Sequence, residues 1–152
     1  LRIGWIAADR RLIERLSAVK RYCDLGSSTL GQLFLECFCR EGCYDRHLQR
    51  IHRLFRRRMA VALGAAERFF PSGVEWTRPA GGYTIWLRLP GEVTPEELER
   101  RSAEAGVFVS HGGAYFPDGG PSAFVRLSIA RHNEEEIEEA FRRFGSVLKF
   151  FL

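Results

Sequence analysis

The first eight residues, Leu1-Arg2-Ile3-Gly4-Trp5-Ile6-Ala7-Ala8, are apolar apart from Arg2, and such a run predicts a buried strand. Asp9 stands where a helix cap belongs, and Leu12, Ile13, Leu16 and Val19 recur at helical spacing to about Tyr22. Asp24-Leu25-Gly26-Ser27-Ser28 reads as a turn. Either serine can cap a second helix through about Arg40, with Leu30, Leu33, Phe34, Cys37 and Phe38 on its apolar face. Gly42 breaks the pattern. The longest helix then runs from about Tyr44 to Phe70. Leu48, Ile51, Leu54, Phe55, Met59 and Leu63 share one face of it, and Arg46, Arg50, Arg53 and Arg57 form the opposite stripe.

Pro71-Ser72-Gly73 ends that helix, and the pattern changes. Val74–Thr77 and Tyr83–Leu89 read as strands around the turn Pro79-Ala80-Gly81-Gly82. Thr94-Pro95-Glu96-Glu97 has the spacing of a capping box with proline at the first helical position, and Gly106 stops the helix it starts. Val107–Ser110 reads as a short strand, His111–Pro121 as a glycine-rich loop and Phe124–Ala130 as another strand. Asn133 with Glu136 caps a last helix that turns Ile137, Phe141, Phe144 and Leu148 inward. The expected class is α/β: a long helix followed by a small β-β-α-β-β-α two-layer sandwich. The joint near Pro71–Gly73 separates residues 1–72 from residues 73–152.

At 152 residues the chain is long enough to bury a real core, and 45% apolar with 28% charged residues is the balance of a globular protein. No apolar run approaches the ~20 residues a membrane span needs. The +4 net charge comes almost wholly from arginine, since Lys20 and Lys149 are the only lysines. An excess this small is weak evidence for a polyanionic partner. Cys23, Cys37, Cys39 and Cys43 lie in or beside helical patterns without secretory context, so reduced thiols and a cytoplasmic location are expected. The chain opens directly in an apolar strand pattern with no initiating methionine, which suggests a fragment or an excised domain.

Two arginines interrupt apolar strand patterns: Arg2, and Arg126 in Phe124-Val125-Arg126-Leu127-Ser128-Ile129-Ala130. A buried guanidinium cannot shed its proton, so it requires a carboxylate or phosphate, and its planar fork holds either one bidentately. Alternatively each is an edge-strand arginine reaching solvent or pairing with a glutamate. Cys37, Cys39, Cys43 and His47 are close in sequence, but on a helix Cys37 and Cys39 diverge by about 200°, which argues against a shared zinc ion. The Arg46–Arg58 stretch carries charge without a phosphate cradle or a recognition-helix context, and reads as the solvated face of a long helix.

Leu1-Arg2-Ile3-Gly4-Trp5 resembles the stretch that follows the Schiff-base lysine in fold-type I aminotransferases. Phe124–Ala130 is similar to that family's strand bearing the arginine for the substrate α-carboxylate. Gly42–Leu48 with the arginine-rich helix resembles its interdomain helix, and Trp76–Tyr83 its Pro-x-Gly-Gly strand. Gly106–Val109 leading to Phe116 resembles its small-domain loop, with His111 standing where the family usually has proline. His111 itself reads as an ordinary loop histidine. These matches, in order, span essentially the whole chain.

The resemblance implies pyridoxal phosphate as cofactor in the complete protein, with Arg2 holding its phosphate and Arg126 an amino acid carboxylate. It also implies a homodimer. The lysine's expected position precedes residue 1, and neither Lys20 nor Lys149 lies in a matching segment. The chain alone is therefore expected to be inactive and to hold no cofactor covalently. Asp24–Ser28 and the arginine-rich helix are most similar to the MocR group of transcriptional regulators, which join a GntR-type winged-helix domain to an aminotransferase-like domain. DNA would then be bound only through that missing N-terminal domain. Alternatives are a fragment of a true aminotransferase, of 2-aminoadipate or aromatic type, or a stand-alone interaction module.

Overall fold

The computed structural model describes residues 1–91, 93–119 and 123–152, so Gly120 and Pro121 of the anticipated loop lie outside the described residues. The chain divides into two compact units, Leu1–Arg50 and Ile51–Leu152.

The first unit holds helices α1 (Arg10–Asp24) and α2 (Thr29–Arg40) and the start of α3 (Cys43–Phe69). Asp9 caps α1 as expected, its carboxylate accepting from the Arg11 N–H at 2.9 Å. Ser28 caps α2 by accepting from Gly31 N–H at 3.2 Å. The opening strand is not there. Residues 1–8 carry no regular structure, Trp5 is 85% exposed, and Arg2 adopts a left-handed backbone, φ 54°, that no strand accommodates. A strand needs a neighbour for its backbone donors and acceptors, and among the described residues none pairs with this one. Gly31 is the one residue of this unit that is buried, against the Ile3 side chain. The apolar stripes Leu12, Leu16, Val19 and Leu30, Leu33, Phe34 all face outward. Helices this short are marginal without tertiary cover, and each begins with a capping side chain.

The second unit is built on a four-stranded sheet, β1 (Glu75–Trp76), β2 (Thr84–Arg88), β3 (Ser110–His111) and β4 (Phe124–Ser128). Its order is β1-β2-β4-β3 with every pair antiparallel. Helix α4 (Pro95–Glu104) falls between β2 and β3, and α5 (Glu134–Leu148) follows β4. Alternation along the strands turns Ile85, Leu87, Val125 and Leu127 into the core. Met59, Ala62, Ala65 and Ala66 of α3, Leu98 of α4, and Ile137, Phe141, Phe144 and Leu148 of α5 complete it. Fully burying a leucine such as Leu98 contributes about 1.5–3 kcal/mol. Phe70 ties the layers together, stacked on Phe141 at 5.3 Å and edge-on to Phe144 at 5.9 Å. Among the described residues no helix is long and apolar enough to cross a membrane.

Capping shows where the local signals hold and where they fail. Asn133 and Glu136 form the anticipated reciprocal box, with side-chain to backbone bonds of 2.9 and 3.0 Å. The Thr94 hydroxyl makes no cap bond, and the Glu97 carboxylate that a box would return to the Thr94 N–H is held instead by Arg100 at 2.8 Å and Arg101 at 2.5 Å. Pro95 alone marks that helix start. The strand expected over Val107–Ser110 pairs only at Ser110–His111, since Val107 donates its N–H to the Ser102 carbonyl at 2.8 Å.

On α5, Arg142 and Arg143 both grip Glu139, each at 2.7 Å, and hold its carboxyl down at about 2. A depressed carboxyl contributes stability above its unfolded value, about 4.5, and loses it as pH falls through about 2. The Glu139 side-chain carbon signal will therefore titrate near 2 by NMR. The bridges are exposed, so high salt will move the midpoint back toward the ordinary range; a midpoint near 4.5 at low salt would contradict the double grip.

Candidate functional site

The sheet's alternation leaves Trp86, Phe124 and Arg126 on the face away from the helical core. Register then assembles a site on that face. Arg126 lies directly opposite Trp86 on one side and Ser110 on the other. Trp86 and Phe124 are stacked at 5.9 Å and 24°. Past His111 the chain forms a 3-10 turn, Gly112–Tyr115, that brings two more rings over the face. Tyr115 stands edge-on to Trp86 at 5.8 Å, and Phe116 lies 5.8 Å from Phe124. The turn can lie this close because Gly112 has no side chain: a Cβ there would be 2.9 Å from the Phe124 carbonyl oxygen.

The Arg126 guanidinium sits beneath the Tyr115 ring, 4.7 Å from its centroid. Its Nε is buried and makes no hydrogen bond. Among the described residues no carboxylate lies within 4.0 Å of it. A ring face offers a cation about 0.5–2 kcal/mol, far less than a hydrogen-bonded anion in a partly desolvated setting. The arrangement leaves a fixed cation whose best partner is an external carboxylate or phosphate.

The other anticipated anion grip, Arg2, is exposed and likewise has no carboxylate partner among the described residues. His111 lies opposite Val125 in the β3–β4 pair, which puts it on the core side of the sheet, away from Arg126. Its Nδ1 is buried without a partner. Arg46, Arg50, Arg53 and Arg57 are all exposed, and Arg57 pairs with Glu134 at 3.5 Å. Arg58 behaves differently. It turns inward and donates to the Ala130 carbonyl at 2.7 Å and the Ile129 carbonyl at 3.4 Å, tethering α3 to the end of β4. Among the described residues no three His, Cys, Asp or Glu side chains gather as metal ligands.

Sequence reasoning missed the aromatic surroundings of Arg126. The alternation in Thr84-Ile85-Trp86-Leu87-Arg88 places Trp86 on the less buried face, but only the register puts it across from Arg126. Tyr115 and Phe116 gave no periodic signal, because the turn that carries them is irregular.

Compared with known families, residues 1–144 match Aminotransferase class I and II. Among curated relatives, the 2-aminoadipate transaminase of Thermus thermophilus is 35% identical over all of this chain and 38% of its own length. The HTH-type transcriptional regulator YdfD of Bacillus subtilis is 29% identical over 98% of this chain and 30% of its own length. Among solved structures, LysN, the alpha-aminoadipate aminotransferase of Thermus thermophilus in complex with N-(5'-phosphopyridoxyl)-L-leucine, superposes with a TM-score of 0.83. It is 34% identical, with 95% of this chain and 37% of LysN covered. The chain thus spans little more than a third of the relatives it matches.

Proposed function

This chain belongs to the aminotransferase class I and II family, and from that premise we propose that it supplies the amino-acid carboxylate grip and the cofactor phosphate grip of a larger pyridoxal-phosphate-dependent protein. One observation carries the reading: Arg126 is a fixed, partly buried cation with no anion of its own chain beside it. A guanidinium fork so placed takes an α-carboxylate bidentately and fixes the orientation of the rest of the amino acid. Arg2 fits the second role: its fork is exposed, unpartnered and free to meet a phosphate.

Bound pyridoxal phosphate supplies an electron sink for loss of an amino acid's α-proton. It needs an amine to hold it, and this chain's lysines do not fit. Lys20 is paired with Asp24 on α1, and Lys149 is exposed at the end of α5. We therefore expect no transamination and no cofactor absorbance band from this chain alone. In the complete protein, residues 1–72 would close the large cofactor-binding domain and run into an interdomain helix, with residues 73–152 forming the small domain of a homodimer.

Two readings of that complete protein divide on chemistry outside this chain. The relationship to YdfD supports the effector-binding part of a MocR-type regulator, with DNA held only by an N-terminal winged-helix domain. The higher identity to 2-aminoadipate transaminase supports an enzyme. A winged-helix segment encoded ahead of residue 1 would decide for the regulator.

The test is substitution in the complete protein. Arg126→Gln will weaken amino acid binding about 10- to 100-fold, the worth of a charge-assisted hydrogen-bonded pair, while the cofactor spectrum persists. Arg2→Gln will instead loosen the cofactor, read as faster loss of its absorbance on dialysis. Unchanged amino acid affinity in R126Q would overturn the reading.

A further inference from the structure

We infer that the gap where β3 parts from β4 binds a flat, uncharged heterocycle carrying a hydrogen-bond donor beside an acceptor, as a lactam does. The two strands pair at His111–Val125 and Ser110–Arg126 and then separate. Continued at the same register, Val109 would face Leu127 and Phe108 would face Ser128. That rung is not made. Val107 donates its N–H to the Ser102 carbonyl of α4 at 2.8 Å, which keeps this end of the segment on the helix. The direction of the orphaned groups follows from the other side of β4. The Ile129 N–H donates to the Tyr83 carbonyl and the Leu89 N–H to the Ala123 carbonyl, so the odd-numbered residues of this run bond toward β2. Ser128 therefore turns its N–H and C=O the opposite way, into the gap. Among the described residues neither group has a hydrogen-bond partner.

The gap opens into a cavity of about 320 Å³, within the roughly 300–1,000 Å³ that small-molecule sites occupy. Val107, Leu127, Phe141 and Phe144 give it apolar walls, and Ser128 lies along one side. Its charged residues are already engaged with one another. Glu139 is held by Arg142 and Arg143, each at 2.7 Å. Glu136 accepts from the Asn133 N–H at 3.0 Å and lies 3.3 Å from His132. A charged ligand would have to break one of those pairs, whereas a neutral ring displaces only water from the walls. A lactam matches what is left over. Its C=O accepts from the Ser128 N–H and its N–H donates to the Ser128 C=O, as a neighbouring strand residue would. Leu127 and Arg126 alternate across the sheet, so this site lies behind the arginine and does not use it.

The experiment is an NMR titration of the full chain with three probes. These are 2-quinolone, its N-methyl derivative, which lacks the donor, and 2-naphthoate, which carries a charge. The quinolone will shift the Gly106 and Ser128 amide signals and slow hydrogen exchange at Ser128. The N-methyl derivative will bind about three- to tenfold more weakly, the worth of one net hydrogen bond, and naphthoate more weakly still. Two variants locate the site. Ser128→Pro removes an N–H that the sheet does not use, so the fold persists while both quinolones lose affinity. Ala140→Leu fills the cavity from α5 and abolishes binding without lowering the urea midpoint. Equal affinity for the two quinolones, or unaltered binding in A140L, overturns the site. So does slow exchange of the Ser128 N–H before any probe is added, which would mean that Phe108 already closes the rung. An absence of shifts at millimolar concentration overturns it as well.

Discussion

Gly145→Ala will destabilise the second unit by about 3 kcal/mol, at the upper end of what overpacking costs. Gly145 is where α5 crosses the end of α3 at backbone contact. An added Cβ would be forced onto the Phe69 carbonyl oxygen, 2.9 Å from its carbon and 3.2 Å from the Phe69 Cβ. Two of those three atoms are main chain and cannot rotate aside. Relief requires moving α5 away from α3, which pulls Phe141 and Phe144 off Phe70. Gly64 supplies the control with opposite sign. It lies inside α3 with nothing within 4 Å of its would-be Cβ, so Gly64→Ala will stabilise by about 0.5–1 kcal/mol through helix propensity. Urea midpoints followed by helical ellipticity measure both. Equal midpoints for the two variants would sink the contact argument.

Gly112→Ala will cost about 2–3 kcal/mol and disturb the candidate site as well. Its Cβ would meet the Phe124 side chain, with the Phe124 carbonyl oxygen at 2.9 Å and carbon at 3.0 Å. Those main-chain atoms belong to β4, paired on both sides, so the 3-10 turn must lift instead. Tyr115 rides on that turn and would leave Arg126. The expected results are a lower urea midpoint and a Trp86 indole N–H signal displaced from its wild-type position. A variant with both unchanged would mean that the turn absorbs the methyl group without moving.

The second unit was legible because its segments carry their own instructions. Asn133 and Glu136 specify a helix start within four residues, and Ile137, Phe141, Phe144 and Leu148 bury the face their spacing implies. The element order after the long helix follows from such local signals. Thr94 misled because a box needs both halves: its hydroxyl makes no cap bond, and Arg100 and Arg101 hold the Glu97 carboxylate. The opening octet misled for a different reason. Hydrophobicity marks Leu1–Ala8 as something to be covered, whereas strand formation depends on a neighbour that lies elsewhere in space. The candidate site divides the same way. Arg126 announced itself as a charge inside an apolar strand, but its ring neighbours are brought to it by register and by one irregular turn, neither of which leaves a periodic trace.

The tether from Arg58 to the carbonyls of Ile129 and Ala130 has a mechanical consequence. Those carbonyls follow Arg126 by three and four residues on the same run of chain, so the part of α3 that belongs to the second unit is clipped to the end of the strand that carries Arg126. Displacing that part of the helix would stretch two hydrogen bonds at the base of the strand before any core side chain had to move.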